Sequence, residues 1–323
     1  MFPAMPVNAD NSVSNEGAEL GRFLFYDPIL SADSSISCAS CHKQELAFSD
    51  APNKFSKGFN QSLQKRNSLP LFNLAWHPAF FSDGRAPTIE DAVLHPVRTR
   101  EEMNLNWTDV SIRLNNSNFY KQKFYEVFRN STIDSVLITK AIGQFLRTLI
   151  SHTSRFDSFL IGKIKLNPDE MEGFQLINTQ TKGDCIHCHT TDGDGLGTTL
   201  KFSNNGLDSV LNPLLYKDLG RGAVTKNILD NGKFKIPSLR NIFFTAPYMH
   251  DGRFKTVDEV LDFYSEGVNA SVNIDSKMEF AHQKGNRLSV EEKRKIICFL
   301  KTLSDNAFIN NKEFANPFLQ KKK

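Results

Sequence analysis

Tryptophan is nearly missing from this chain, with two residues among 323, and tyrosine is scarce at six. No stretch approaches the roughly 18 consecutive apolar residues that would cross a bilayer, so no transmembrane segment is expected. An excess of charge of one sign is missing too. The formal net charge of +3 is too small to point to nucleic acid, and neither a DNA nor an RNA partner is expected. Met1 to Ser14 is polar, without the apolar h-region of an export signal. Alternating strand patterns are rare, which leaves a mainly α fold. Cysteine is limited to five residues, and the spacing of four of them leaves no disulfide framework.

Phenylalanine is what the chain has in excess, at 27 residues. Two readings stand side by side: rings that wrap a flat apolar cofactor, or simply a Phe-rich core. A length of 323 residues exceeds what one hydrophobic core usually supports, so two domains are expected.

The chemistry sits in Cys38-Ala39-Ser40-Cys41-His42 and Cys185-Ile186-His187-Cys188-His189. Two thiols three positions apart reach the two vinyl groups on one porphyrin edge, and the adjacent histidine falls beneath the iron. The motifs therefore predict two covalently bound haems c, with Cys38, Cys41, Cys185 and Cys188 as thioether sulfurs and His42 and His189 as proximal iron ligands. A zinc site would want its fourth ligand nearby, and a redox dithiol has no need of the terminal histidine twice. His187 is expected to be an exposed position. The fifth cysteine, Cys298, lies in a helix opened by the capping pair Ser289 and Glu292, and reads as a small core residue. Attachment of this kind follows export, so the expected location is the periplasm, with the signal already removed.

The chain also repeats itself. Glu16-Gly17-Ala18-Glu19-Leu20 precedes the first motif and Glu172-Gly173-Phe174-Gln175-Leu176 the second. Arg66-Asn67 and then Asp83-Gly84-Arg85 follow the first; Arg240-Asn241 and then Asp251-Gly252-Arg253 follow the second. Each Asp-Gly-Arg leads to a threonine, Thr88 or Thr256, placed as a helix N-cap before acidic residues. The common order predicts two related domains, 1–150 and 151–310, followed by a polar tail, 311–323, expected to be solvated. After Thr256, Val257, Val260, Leu261 and Tyr264 form an apolar helical stripe. Residues 133–150 read as one long helix, with Val136, Leu137, Ala141, Ile142, Phe145, Leu146 and Leu149 as its apolar positions, connecting and bracing the domains.

Leu24-Phe25-Tyr26-Asp27-Pro28, Leu30-Ser31, Ala47-Phe48-Ser49-Asp50 and Ala246-Pro247-Tyr248-Met249-His250-Asp251-Gly252-Arg253-Phe254, together with the first haem motif, resemble bacterial dihaem cytochrome c peroxidases, MauG-type enzymes included. The resemblance runs from about Leu20 to Leu303. It implies two cytochrome c-like domains, the N-terminal haem reacting with hydrogen peroxide and the C-terminal haem handling electrons. Carried over by position, the acid-base carboxylate falls on Glu102, with Glu101 its neighbouring rival and a solvated surface glutamate the plain alternative. A calcium site maps onto Asn67 and the backbone carbonyls of Thr245 and Pro247, which could equally just shape turns. The outer ligand of the second haem falls on Tyr264, with Met278 and then Met249 as alternatives, although Tyr264 would also suit the core. The donor is implied to be a small cytochrome c or cupredoxin, and a homodimer is left open.

Three departures qualify the resemblance. Where typical peroxidases carry a histidine that caps the reactive haem, the matching position is near Phe59, so the first haem is expected to be open without reductive activation. Ser82 stands where a tryptophan usually lies between the haems; Trp76 is the substitute at hand. Ala92 replaces a glutamine of the reactive pocket, and His95 is either a polar replacement or an ordinary helix-end histidine. Three functions follow: a peroxidase, a MauG-like oxidase that modifies a protein partner through a high-valent haem state, and an electron-transfer or sensor protein without peroxide turnover.

Overall fold

The computed structural model describes residues 3–190, 196–283 and 286–319. It is mainly helical and divides into two compact units. The first comprises residues 5–80, 86–150 and 308–319; the second comprises 81–85 and 151–307, with the first few residues of the chain.

The first unit is built on α1 (Asn15–Tyr26), α2 (Cys38–Cys41), α3 (Ile89–Arg98), α4 (Trp107–Asn115), α5 (Asn118–Phe128) and α6 (Ser135–Thr148). Ser14 caps α1 by accepting from the Gly17 amide at 3.0 Å. Gly21 lets α1 lie directly on α6, because a Cβ there would overlap the Ala141 carbonyl. Leu20, Leu24 and Phe25 of α1 and Ile138, Ile142 and Phe145 of α6 are all buried, and the Phe25 and Phe145 rings meet at 5.3 Å. Val136, counted in the apolar stripe, is 55% exposed. It lies two positions before Ile138 and so falls on the opposite face of the helix. The long helix of the sequence reading is thus α6, packed within this unit on α1 and α3. Glu90 of α3 takes a two-pronged ion pair from Arg147 of α6, at 2.7 and 2.9 Å.

The tail is solvated only in part: Phe314 is buried, whereas Phe318 and Leu319 are exposed. Phe314 packs its ring against Phe48 and Phe308, and the Tyr26 hydroxyl donates to its carbonyl at 2.8 Å. The polar composition hid one aromatic anchor. Residues 320–323 lie outside the described set.

In the second unit the helices are α7 (Arg155–Leu160), α8 (Pro168–Asn178), α9 (Gly222–Thr225), α10 (Val257–Asp262), α11 (Glu279–His282) and α12 (Val290–Lys301). A two-stranded antiparallel ribbon, β1 (Phe202–Ser203) and β2 (Phe234–Lys235), pairs Phe202 with Lys235. Phe156, Phe174 and Phe299 centre the core, with Phe156 and Phe299 edge-to-face at 5.1 Å. Part of the phenylalanine excess goes into these two ring clusters. Arg240, 2% exposed, donates to both carboxylate oxygens of Asp157, through Nη1 to Oδ2 at 2.9 Å and through Nη2 to Oδ1. Ser289 and Glu292 form the expected capping box of α12. Cys298 is half-buried beside Arg294 at 3.8 Å, while Ile296, Phe299 and Leu300 take the core positions. The core-cysteine expectation is corrected: the buried arc of α12 passes either side of it.

Segment 81–85 is gripped within this unit. The Ser82 carbonyl accepts from the Lys235 amide at 2.7 Å, and Arg221 donates to the carbonyls of Asp83 and Gly84 at 3.2 and 2.9 Å.

Each unit contains the duplicated features, with two registers corrected. Gly173 approaches the Lys295 carbonyl and Phe299 in the way Gly21, not Gly17, approaches Ala141 and Phe145. The repeat is thus displaced by one helical turn from the Glu-Gly match. Likewise the counterpart of Asn241 is Asn73, not Asn67. Both adopt left-handed φ, +56° and +60°, and both precede a short 3-10 turn. Their amides donate to Leu149 and Leu303. The Asp-Gly-Arg turns match as read: Arg85 N donates to Asp83 at 3.1 Å and Arg253 N to Asp251 at 3.2 Å. Thr88 and Thr256 cap as expected, accepting from Asp91 N at 3.0 Å and Glu259 N at 3.1 Å.

Candidate active site

At the first motif, Ser37 opens α2 and its amide donates to Ser40 Oγ at 3.1 Å, fixing one helical turn. Cys38, Cys41 and His42 fall on that turn. The loop that follows explains Ala47-Phe48-Ser49-Asp50. Ala47 and Phe48 take left-handed φ of +52° and +58°, which turns the Phe48 carbonyl back to His42 Nδ1 at 2.9 Å. Lys43 closes the loop onto Asp50 at 2.6 Å. Burial pushes His42 below its ordinary pKa against the pull of the Phe48 and Leu69 carbonyls, so the ring is neutral near pH 7.

The second motif repeats this chemistry. His189 Nδ1 sits 2.8 Å from the Pro237 carbonyl, and Gly197 supplies a further backbone contact. Pro237 precedes Asn241 by the interval that separates Leu69 from Asn73. Burial lowers the His189 pKa to about 4. His187 is 46% exposed and paired with Asp184 at 2.6 Å, as its position inside the motif suggested.

Two observations test whether these residues fit a covalent haem. In each motif Nδ1 faces a carbonyl, which leaves Nε2 of a neutral imidazole as the available ligand atom. All four motif sulfurs are free and half-buried. The residues fit.

Around the first motif the chain brings three expected positions together. The Phe59 amide donates to the Glu102 carbonyl at 2.7 Å, so the backbone at the place of the missing histidine adjoins that of the candidate acid-base residue. Gly58 packs so tightly on Glu101 and Glu102 that a Cβ there would overlap the Glu101 carbonyl. Burial first, then Cys41, with the Glu102 charge contributing, pushes the Cys38 thiol up to about 12. Burial and Asp50, again with Glu102 adding, push Cys41 to about 11. Glu102 is half-buried and Glu101 exposed. Ala92 and His95 lie on α3; the His95 carbonyl accepts from Thr99 N at 3.0 Å and Thr99 Oγ1 at 2.8 Å, closing the helix end.

Tyr264 stands at the second motif. Burial raises its pKa to about 12, and the two cysteines Cys188 and Cys185 add to that rise. The stripe after Thr256 does not run on as a regular helix: α10 passes into a π turn over Phe263–Gly267, which carries Tyr264. Such wide turns are frequent at functional sites. Tyr264, Met249 and Met278, the three candidates for the outer ligand, pack against one cluster of Leu207, Phe263, Val268 and Ala281. Met249 adopts φ +73°, the counterpart of Phe81 at +67° in the other Asp-Gly-Arg turn.

The proposed calcium set is split between the units, Asn67 in the first and Thr245 and Pro247 in the second. The Asn67 amide nitrogen is engaged by the Lys54 carbonyl at 3.1 Å. Thr245 closes a 3-10 turn on Ile242. Ser82 is 8% exposed within the segment held by Lys235 and Arg221, and Trp76 ends the turn after Asn73.

Sequence reading missed Asn205, whose side chain donates to the Tyr264 hydroxyl at 3.0 Å. Asn204-Asn205-Gly206 reads only as a turn, and nothing in its spacing points to a residue 59 positions away. It also missed Lys277, which donates to the His187 carbonyl at 2.8 Å.

A family model described as di-haem cytochrome c peroxidase matches residues 15–165. The methylamine utilization protein MauG of Methylorubrum extorquens is 33% identical over 304 residues, covering 93% of this chain and 81% of that protein. The chain belongs to the dihaem cytochrome c peroxidase and MauG family. A cytochrome c551 peroxidase of Nitrosomonas europaea is 32% identical, covering 94% of this chain and 84% of its own. The crystal structure of a MauG-like protein associated with microbial copper homeostasis superposes with a TM-score of 0.88 at 32% identity, covering 98% of this chain and 97% of that one. Membership makes the chain an oxidoreductase of the peroxidase type with two haem groups, peroxide as oxidant and a redox partner. Among the described residues no helix is long and apolar enough to cross a membrane.

Proposed function

We propose that this family member reduces hydrogen peroxide to water at the first motif, drawing electrons through the second from a small cytochrome c or cupredoxin in the periplasm. In this reading each unit is a cytochrome c-like domain, Cys38, Cys41 and Cys185, Cys188 carry the haems, and His42 and His189 are their proximal ligands. The supporting observation is the Phe59–Glu102 contact beside Cys38 and Cys41. It joins the backbones of the two residues, which supports reading Glu102 as the acid-base carboxylate and Phe59, unable to ligate iron, as the residue in the capping position. The haem supplies the redox chemistry. Glu102 accepts the proton of one peroxide oxygen and returns it to the other, so that the departing oxygen leaves as water. One peroxide, two electrons and two protons give two waters.

Stopped-flow mixing of the oxidised holoprotein with peroxide tests it. A fast spectral change without prior reduction is expected, slowed by ~10²–10⁴-fold in Glu102→Gln, the usual range for a lost general acid-base. An unchanged rate in that variant removes Glu102 from the reaction.

A second reading is a MauG-like oxidase acting on a protein partner. Tyr264, within electrostatic reach of Cys188 and Cys185, supports it. An oxidised state that persists in the presence of reduced cytochrome would distinguish this reading from the first.

A further inference from the structure

Two rivals for the outer coordination position of the second haem share one hydrogen-bond donor. Asn205 Nδ2 lies 3.0 Å from the Tyr264 hydroxyl oxygen and 3.7 Å from the Met249 sulfur. An amide N–H bonds well to oxygen and only weakly to a thioether, so the contact that fixes a side chain is the one to tyrosine.

Asn205 is itself held in place by its neighbours. Asn204 Oδ1 accepts from Gly206 N at 3.0 Å, and Asn204 Nδ2 donates to the Tyr216 hydroxyl at 2.7 Å. Gly206, at φ +71°, lies so close to Val268 and Asn269 that any Cβ would crowd them, and its carbonyl accepts from Asn269 N at 2.9 Å. These contacts strap the Asn205 loop to the chain immediately after the π turn that carries Tyr264. Donor and acceptor are thus aligned by backbone bonds, the arrangement expected of a group that orients a metal ligand.

We propose that Asn205 is a positioning residue that selects Tyr264 over Met249 as the outer ligand of the second haem, by anchoring the tyrosine oxygen. The inference rests on the reading of Tyr264 as that ligand. Oxygen and sulfur ligation leave different signatures. Methionine raises the reduction potential of a c-type haem, and ferric methionine-ligated haem has a sulfur-to-iron charge-transfer band in the far red.

The test uses the holoprotein with both haems, reading the absorption and paramagnetic resonance spectra and the midpoint potential of the second haem. Asn205→Leu is expected to bring up the far-red sulfur band and raise that potential, leaving the spectrum of the first haem unchanged. Adding Met249→Leu is expected to abolish the band; a band that survives assigns the sulfur to Met278 and overturns the selection. Asn205→Gln, which keeps an amide donor, is expected to preserve the wild-type signature. Should Asn205→Leu lose haem, Asn205→Asp removes the donor with little change of shape and is expected to move the signature in the same direction. Wild-type spectrum and potential in the Leu or Asp variant overturn the inference. Tyr264→Phe separates the two levels. If it leaves the second haem untouched, the tyrosine reading itself fails; if it alters the haem while the Asn205 variants do not, only the role of Asn205 fails.

Discussion

At the scale of single residues, the proposed open first haem turns on Phe59, whose amide is fastened to the Glu102 carbonyl. Phe59→His would put an imidazole on that same anchored backbone. The oxidised variant is expected to lose high-spin signal in paramagnetic resonance and to need prior reduction before reacting with peroxide. A variant still high-spin and as fast as the parent would show that position 59 does not reach the iron. The histidines and cysteines of both motifs were legible because covalent attachment demands one spacing. Asn205 and the Phe48 carbonyl were not, since one acts across a long sequence gap and the other through its backbone. Tyr264 could be named from its resemblance, but its partner could not.

Among elements, the informative contact is that of a glycine on a helix. Gly21 and Gly173 each let an N-terminal helix of their unit touch the backbone of its partner helix. Gly173→Ala drives a methyl group into the Lys295 carbonyl, and α8 must shift off α12 to relieve it. The expected cost is about 1–3 kcal/mol, typical of overpacking, read as a lower thermal midpoint of the holoprotein. An unchanged midpoint would mean that the helices are not held at this distance. Caps were readable letter by letter: Thr88, Thr256 and Ser289 all do what their sequence context indicated. The repeat was readable in its existence and order but not in its register. Glu-Gly and Arg-Asn pairs look alike on paper, whereas packing distinguishes Gly21 from Gly17, and left-handed backbone distinguishes Asn73 from Asn67. The π turn after α10 was hidden because its residues keep a helical apolar pattern while the backbone widens.

For the molecule as a whole, acid is the expected weakness. Burial alone would raise the Asp157 pKa, but the Arg240 fork outweighs it and holds the carboxyl below its ordinary value. A carboxylate depressed in the folded state lends stability that is fully present above its unfolded pKa and is lost as pH falls through the folded one. Stability should therefore decline below about pH 4, the range of an ordinary carboxylate. Arg240→Leu leaves the buried carboxylate without its cation, at an expected cost of about 3–5 kcal/mol near neutral pH. Denaturation midpoints of parent and variant across pH would check this, and a variant as stable as the parent at neutral pH would contradict it. The phenylalanine excess, by contrast, could have meant cofactor or core, and the ring clusters at Phe156 and Phe48 account for a part of it as core. One feature of connectivity bears on how such a chain is made. The unit that begins at residue 5 is completed by residues 308–319, and the unit that ends at 307 includes residues 81–85 laid down long before. Neither half, emerging alone, contains all of its own pieces. A chain laid down from its N-terminus presents Cys38 and Phe48 long before Phe314, the ring that packs on Phe48 from the far end of the sequence.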